Sequence, residues 1–91
     1  MKARIHVFVS GRVQGIGFRA RTLAKARKLG ITGWVKNLAD GRVEMVCEGE
    51  KEKIEEMIEW IKSEPIFSRV TNIDIKQGEY TAEFGNFDIK Y

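Results

Sequence analysis

The hydrophobic period of this chain alternates between that of a strand and that of a helix in a fixed order: strand, helix, strand, strand, helix, strand, strand. From residue 3 to residue 10 apolar and polar side chains alternate, with Ile5, Val7 and Val9 on one face and Arg4, His6 and Ser10 on the other, and Phe8 breaks the pattern. Such alternation marks a strand with one buried face. A helical stretch opens near Phe18 and closes at Gly30, a residue suited to the left-handed position past a helix end, after a basic last turn of Arg27 and Lys28. Strand patterning returns over 32–39 and 42–48, with Ala39, Asp40 and Gly41 as the hairpin turn between them. Ile54, Met57, Ile58 and Ile61 then fall at i, i+3, i+4 and i+7, and Pro65 stops this second helix. Residues 69–76 and 86–91 read as a longer and a shorter strand.

Two strand-helix-strand units joined by a hairpin leave few ways to pair. A right-handed crossover from strand one to strand two leaves a gap that strand three fills, and the second unit repeats the move. The expected fold is α+β, a ferredoxin-like split βαβ sandwich: an antiparallel sheet, both helices on one face, and a short extra C-terminal strand. A length of 91 residues makes this a single domain, 1–91, able to bury roughly 60–70% of its unfolded surface. Cys47 is the only cysteine, so no internal disulfide can form and nothing points to an oxidising compartment. The first apolar run is short, is interrupted by His6 and has no small-residue cleavage site after it. No segment approaches the ~20 apolar residues that span a bilayer, so a cytoplasmic protein without a membrane partner is expected. A net charge of +3 leans weakly toward anionic partners, with cations spread along the chain as on an ordinary solvated surface.

Between the first strand and the first helix lies SGRVQGIGFRA, residues 10–20. Gly15, Gly17 and Ala20 give the G-x-G-x-x-A spacing of a dinucleotide fingerprint, with Asp40 where a ribose-binding acid belongs. That site needs a parallel sheet with a switch point, whereas here the second strand turns straight back through a hairpin. No Gly-Lys-Ser/Thr follows the loop, which removes the Walker pattern. What remains is an anion cradle. Successive backbone amides of Arg12, Val13, Gln14, Gly15, Ile16, Gly17 and Phe18 can converge on an anion at a helix N-terminus, whose dipole favours negative charge. Arg19 sits in the first helical turn, where a cation helps the helix least, and so it is a candidate for gripping that anion. The competing reading pairs Arg19 with a nearby carboxylate.

GRVQGIGFR, Gly11 to Arg19, resembles the acylphosphatase signature G-x-V-Q-G-V-x-F-R, and GWVKNLADGRVEMVCEG, Gly33 to Gly49, resembles that family's second signature, G-aromatic-x-x-N-x-x-x-G-x-V with a later glycine. The resemblance covers essentially the whole chain and implies the same small α+β fold. It implies hydrolysis of acyl phosphates to a carboxylate and inorganic phosphate, with no cofactor and no metal. Arg19 and the loop would hold the phosphoryl group, and Asn37 would orient the attacking water. The implied partners are small-molecule acyl phosphates and inorganic phosphate, not nucleic acid, and a monomer is expected. The sequence departs from the signature at Ile16, in place of valine, and at Leu38, where some relatives carry a Thr or Ser hydroxyl beside the asparagine.

Other residues are better read as structure. His6 lacks a sequence neighbour that would serve as an acid partner or second ligand and reads as a sheet residue. Cys47 reads as a small buried hydrophobe, Trp34 as strand packing, and Met57 and Trp60 as core and its edge. EGEKEKIEE, residues 48–56, reads as a solvated face and the acidic first turn of a helix. An RNA-binding module on the same fold needs an aromatic, basic third strand, which GRVEMVCEG does not supply. A regulatory domain that binds anions without turnover is the stronger alternative, and Arg19 together with Asn37 favours catalysis over it.

Overall fold

The computed structural model describes residues 1–15, 17–64 and 69–91. Its elements run β1 (Lys2–Gly11), α1 (Phe18–Lys28), β2 (Thr32–Asn37), β3 (Val43–Glu50), α2 (Lys51–Ser63), β4 (Val70–Gly78) and β5 (Phe87–Lys90). The five strands form one sheet in the order β4-β1-β3-β2-β5. β1 runs antiparallel to β3 and β4, and β2 antiparallel to β3, as the split βαβ reading requires. Ile5, Val7 and Val9 of β1, Val35 of β2, Val43, Met45 and Cys47 of β3 and Phe87 of β5 are buried together with Phe18 and Ala26 of α1 and Ile54, Met57 and Ile61 of α2. The period-2 and period-3.6 patterns therefore meet in one core. α1 ends two residues before Gly30, whose amide closes on the carbonyl of Arg27. The assignment of Pro65 as the stop of α2 lies outside the described residues.

The fifth strand corrects the all-antiparallel expectation, because β5 pairs parallel with β2. Chain direction accounts for this. β4 lies at one edge of the sheet and β5 at the other, so residues 79–86 must cross four strand spacings, about 19 Å. Eight residues fully extended span at most about 26–29 Å, so the segment has the reach for this crossing. The crossing starts at the end where β1 begins, as the pairing of Arg4 with Gly78 shows, and β5 must then run back in the direction of β2. Its last residues arrive at the end of the sheet where Asn37 sits.

That crossing strap also corrects the reading of residue 48. Glu48 belongs to β3 and is fully buried, although its side chain faces away from the helices. Its Oε2 accepts from the Thr81 amide at 2.8 Å, the Thr81 hydroxyl at 3.1 Å and Arg4 Nη1 at 3.0 Å, and Glu83 engages the same guanidinium. Helix α2 begins only at Lys51, with Glu52 as the acid of its first turn. Phe8, the exception in the first strand, lies on this outer face with the Arg42 guanidinium 4.8 Å above its ring.

Candidate active site

At the C-terminal ends of β1 and β2 the sheet opens into a cavity of about 350 Å³ lined by Val13, Gly15, Gly17, Phe18, Arg19, Ala20, Asn37, Ile89 and Tyr91. Helix α1 presents its N-terminus here. The N-cap is Gly17 in the left-handed region, with no side-chain cap and no acidic residue in the first turn. The Arg21 amide donates to the Gly17 carbonyl at 3.0 Å, which opens the helical bonding. First-turn amides have no acceptor within a helix, and together with the dipole they favour an anion. Gly15 (φ 79°) and Gly17 (φ 80°) both adopt positive φ, and a Cβ on either would meet nothing within 4 Å among the described residues, so conformation selects glycine here. Buried Phe18 anchors the start of the helix in the core.

Arg19 has no carboxylate partner among the described residues, which sets aside the reading of it as half of an ordinary ion pair. Its guanidinium carbon lies 5.1 Å from the ring centre of Tyr91. A guanidinium held against an aromatic face keeps its N–H edges for an anion. Asn37, the last residue of β2, lines the same cavity, and its Oδ1 is buried with no hydrogen-bond partner among the described residues. An unmet buried acceptor costs about 1–3 kcal/mol, so this amide has capacity in hand for a bound molecule.

Val13, Gly15, Gly17, Phe18, Arg19 and Asn37 of the sequence-derived site thus share one cavity. Arg12 and Gln14 also make bonds outside the cavity. The Arg12 amide donates to the Arg69 carbonyl at 3.1 Å, and the Gln14 side chain turns away to donate to the carbonyls of Leu38 (2.8 Å) and Arg42 (2.9 Å). Ile16 lies outside the described residues. Gln14 therefore bolts the loop to the β2–β3 hairpin directly beyond Asn37. The hairpin is closed by Leu38 N–H to Arg42 carbonyl, 2.8 Å, so residue 38 contributes through its backbone. Asp40 accepts from the Arg42 amide and Nε, and these bonds hold its carboxyl below the usual carboxylate range. An acid engaged in this way is part of the turn and not a ribose ligand.

Residues 5–89 match the sequence model of the acylphosphatase family. The chain is 46% identical to an acylphosphatase of Methylococcus capsulatus, over 94% of each chain. It is 47% identical to one of Syntrophobacter fumaroxidans, over 99% of this chain and 93% of that one. Its structure superposes on the crystal structure of an acylphosphatase from Bacillus subtilis with a TM-score of 0.91 and 37% identity, covering all of both chains. The chain belongs to the acylphosphatase family.

Against other acylphosphatase-like features, the remaining candidates fall outside the cavity. His6 has an acid partner that sequence proximity did not reveal: its Nε2 lies 2.6 Å from Glu44 Oε2 on the outer sheet face. Cys47 is fully buried, and burial pushes its thiol up to about 12, which leaves no thiolate for chemistry near neutrality. Trp34 packs on the outer face beneath Lys90. Among the described residues no three His, Cys, Asp or Glu side chains converge as a metal site requires, and no helix is long and apolar enough to cross a membrane. Tyr91 and Ile89 of the acylphosphatase cavity went unnoticed in the sequence, because only the parallel return of β5 brings them there.

Proposed function

We propose that this acylphosphatase cleaves the carboxyl–phosphate bond of acyl phosphates with Arg19 and the α1 N-terminus holding the phosphoryl oxygens and Asn37 orienting the attacking water. Water adds to phosphorus, the P–O bond to the acyl oxygen breaks, and the products are a carboxylate and inorganic phosphate. A carboxylate leaves as an anion of an acid with a pKa near 4, so it needs no general acid. The reaction then asks mainly for positioning and for charge stabilisation on the phosphoryl group. Arg19 supplies a paired N–H edge, and the helix supplies amides and a dipole. An amide is no strong base, so the water's proton passes to a phosphoryl oxygen of the substrate. The observation that carries this reading is an arginine without a carboxylate partner among the described residues, at a cap-free, acid-free helix N-terminus, with an asparagine in the same cavity whose buried acceptor has no partner among those residues either. The same reading takes the chain as a monomeric cytoplasmic enzyme without a nucleic-acid partner, since on the outer sheet face Glu44, Asp74 and Asp88 accompany the cations and offer nucleic acid no uniform field.

Phosphate release from benzoyl phosphate tests it. Arg19→Gln is expected to lose both phosphate binding and turnover. Asn37→Ala is expected to keep phosphate as a competitive inhibitor while kcat falls roughly a hundredfold or more, the scale of one lost transition-state donor. EDTA is expected to leave the wild-type rate unchanged. Full activity in Asn37→Ala, or loss on chelation restored by a divalent metal, contradicts the proposal.

A further inference from the structure

Helix α1 carries Arg19, Arg21, Lys25, Arg27 and Lys28 and no acidic residue. The whole chain carries a net charge of only +3, so the five cations of this one helix exceed it and the rest of the molecule is net negative. Arg19 is in the cavity, and Arg27 is engaged, its Nε on the Phe87 carbonyl and its Nη2 3.7 Å from Asp88. Arg21, Lys25 and Lys28 follow one another at i, i+4 and i+7 along a single face and have no ion-pair partner among the described residues. With Ala24 between them they line a groove of about 240 Å³ against α2. The one acid on its rim, Glu64, accepts from the Trp60 indole.

Like charges at i, i+3 and i+4 destabilise a helix slightly. The negative end of the helix dipole repays this for Lys25 and Lys28 in the last turn, but not for Arg21 in the first. No side chain of the three lines the acylphosphatase cavity. All three lie on the helix whose N-terminus forms that cavity. At 1.5 Å per residue, Arg21 is about 5 Å and Lys28 about 15 Å along the axis from Phe18. The Debye length is about 30 Å in 0.01 M salt, 10 Å in 0.1 M and 3 Å in 1 M. The whole stripe acts at the N-terminus in dilute salt, and none of it does in concentrated salt.

We infer that the Arg21, Lys25 and Lys28 face of α1 is an electrostatic guide that raises the encounter rate and effective affinity of the site for anionic acyl phosphates without touching them. This rests on the phosphoryl site proposed at Arg19. The guide acts on free substrate and does not alter the reacting geometry, so it moves kcat/KM and leaves kcat alone.

The test is the salt dependence of benzoyl phosphate hydrolysis by the triple variant Arg21→Gln, Lys25→Gln, Lys28→Gln. A control, Lys51→Gln, Lys53→Gln, Lys76→Gln, removes the same charge from α2 and β4. Circular dichroism and thermal melts confirm that both fold. In about 0.01 M salt the stripe variant is expected to lose about three- to tenfold in kcat/KM, with kcat unchanged. The difference is expected to vanish by about 1 M salt, while the control follows the wild-type curve. Coincident salt curves for stripe variant and wild type, or an equal loss in the control, overturn the inference. Arg19→Gln measured alongside keeps the two readings apart: continued phosphate binding there strikes the site itself, whatever the stripe does.

Discussion

Gln14 carries no charge and its side chain lies outside the cavity, yet its amide group ties together the two pieces of backbone on which the proposed chemistry depends. Its two donated bonds, to Leu38 and Arg42, join the cradle loop to the hairpin turn that follows Asn37. Gln14→Met keeps the bulk and removes both donors. The variant is expected to lose about 1–3 kcal/mol of stability, two net hydrogen bonds' worth. Displacement of Asn37 by a fraction of an ångström up to 1 Å is expected to lower kcat tenfold or more. Inhibition by phosphate, assigned in the proposed mechanism to Arg19 and the helix N-terminus, should change by no more than a few-fold. Parallel losses in kcat and phosphate affinity, measured by steady-state kinetics, would place Gln14 in the phosphate grip instead. Spacing in the sequence placed Gln14 in the loop but could not show where its side chain goes, because its acceptors lie 24 and 28 residues away. The same holds for His6, whose acid partner stands across a strand pair, and for Arg19, whose aromatic support arrives from the end of β5. Cys47 was legible because alternation alone puts it on the buried face.

Strand and helix positions were readable from periodicity to within two or three residues, but the path of the strap was not. Periodicity says which face a strand buries and nothing about which edge a later strand joins. Once 79–86 crosses the outer face, Glu48 becomes a buried anchor. Its burial opposes the charged form, but the Thr81 amide, Arg4 and the Thr81 hydroxyl outweigh it and hold the carboxyl below the usual glutamate value. A depressed folded pKa means stability that is present above the unfolded value and is lost as pH falls through the folded one. Wild-type stability is therefore expected to drop below about pH 4. Glu48→Gln should be less stable at pH 7 by roughly 1–3 kcal/mol, the scale of weakened charge-assisted bonds, and should show a flatter acid limb. Urea melts from pH 3 to pH 7 on both proteins measure this. Identical acid limbs would mean that the anchor is held by packing of the strap and not by the charge on Glu48.

As a whole, the molecule joins the proposed anion site to the core: Phe18 starts the helix that lines this site and is buried beneath it, and the strand that brings Tyr91 is fixed by Phe87 in the same core. Occupying the site should therefore stabilise the entire fold and not merely a loop. A ligand that binds the native state alone adds RT ln(1 + [L]/Kd), about 2.7 kcal/mol at a hundred times Kd. For a domain of this length each kcal/mol moves Tm by about 4–8 °C, so inorganic phosphate at that level is expected to raise Tm by roughly 10–20 °C in one cooperative transition. Phosphate also stabilises proteins by exclusion from their surface, and that part acts on every variant alike. The specific part is the difference between proteins at matched ionic strength. Arg19→Gln should show only the general increment, whereas Asn37→Ala, impaired in turnover but not in binding, should keep the full shift. Equal shifts in wild type and Arg19→Gln would move the anion site away from the N-terminus of α1.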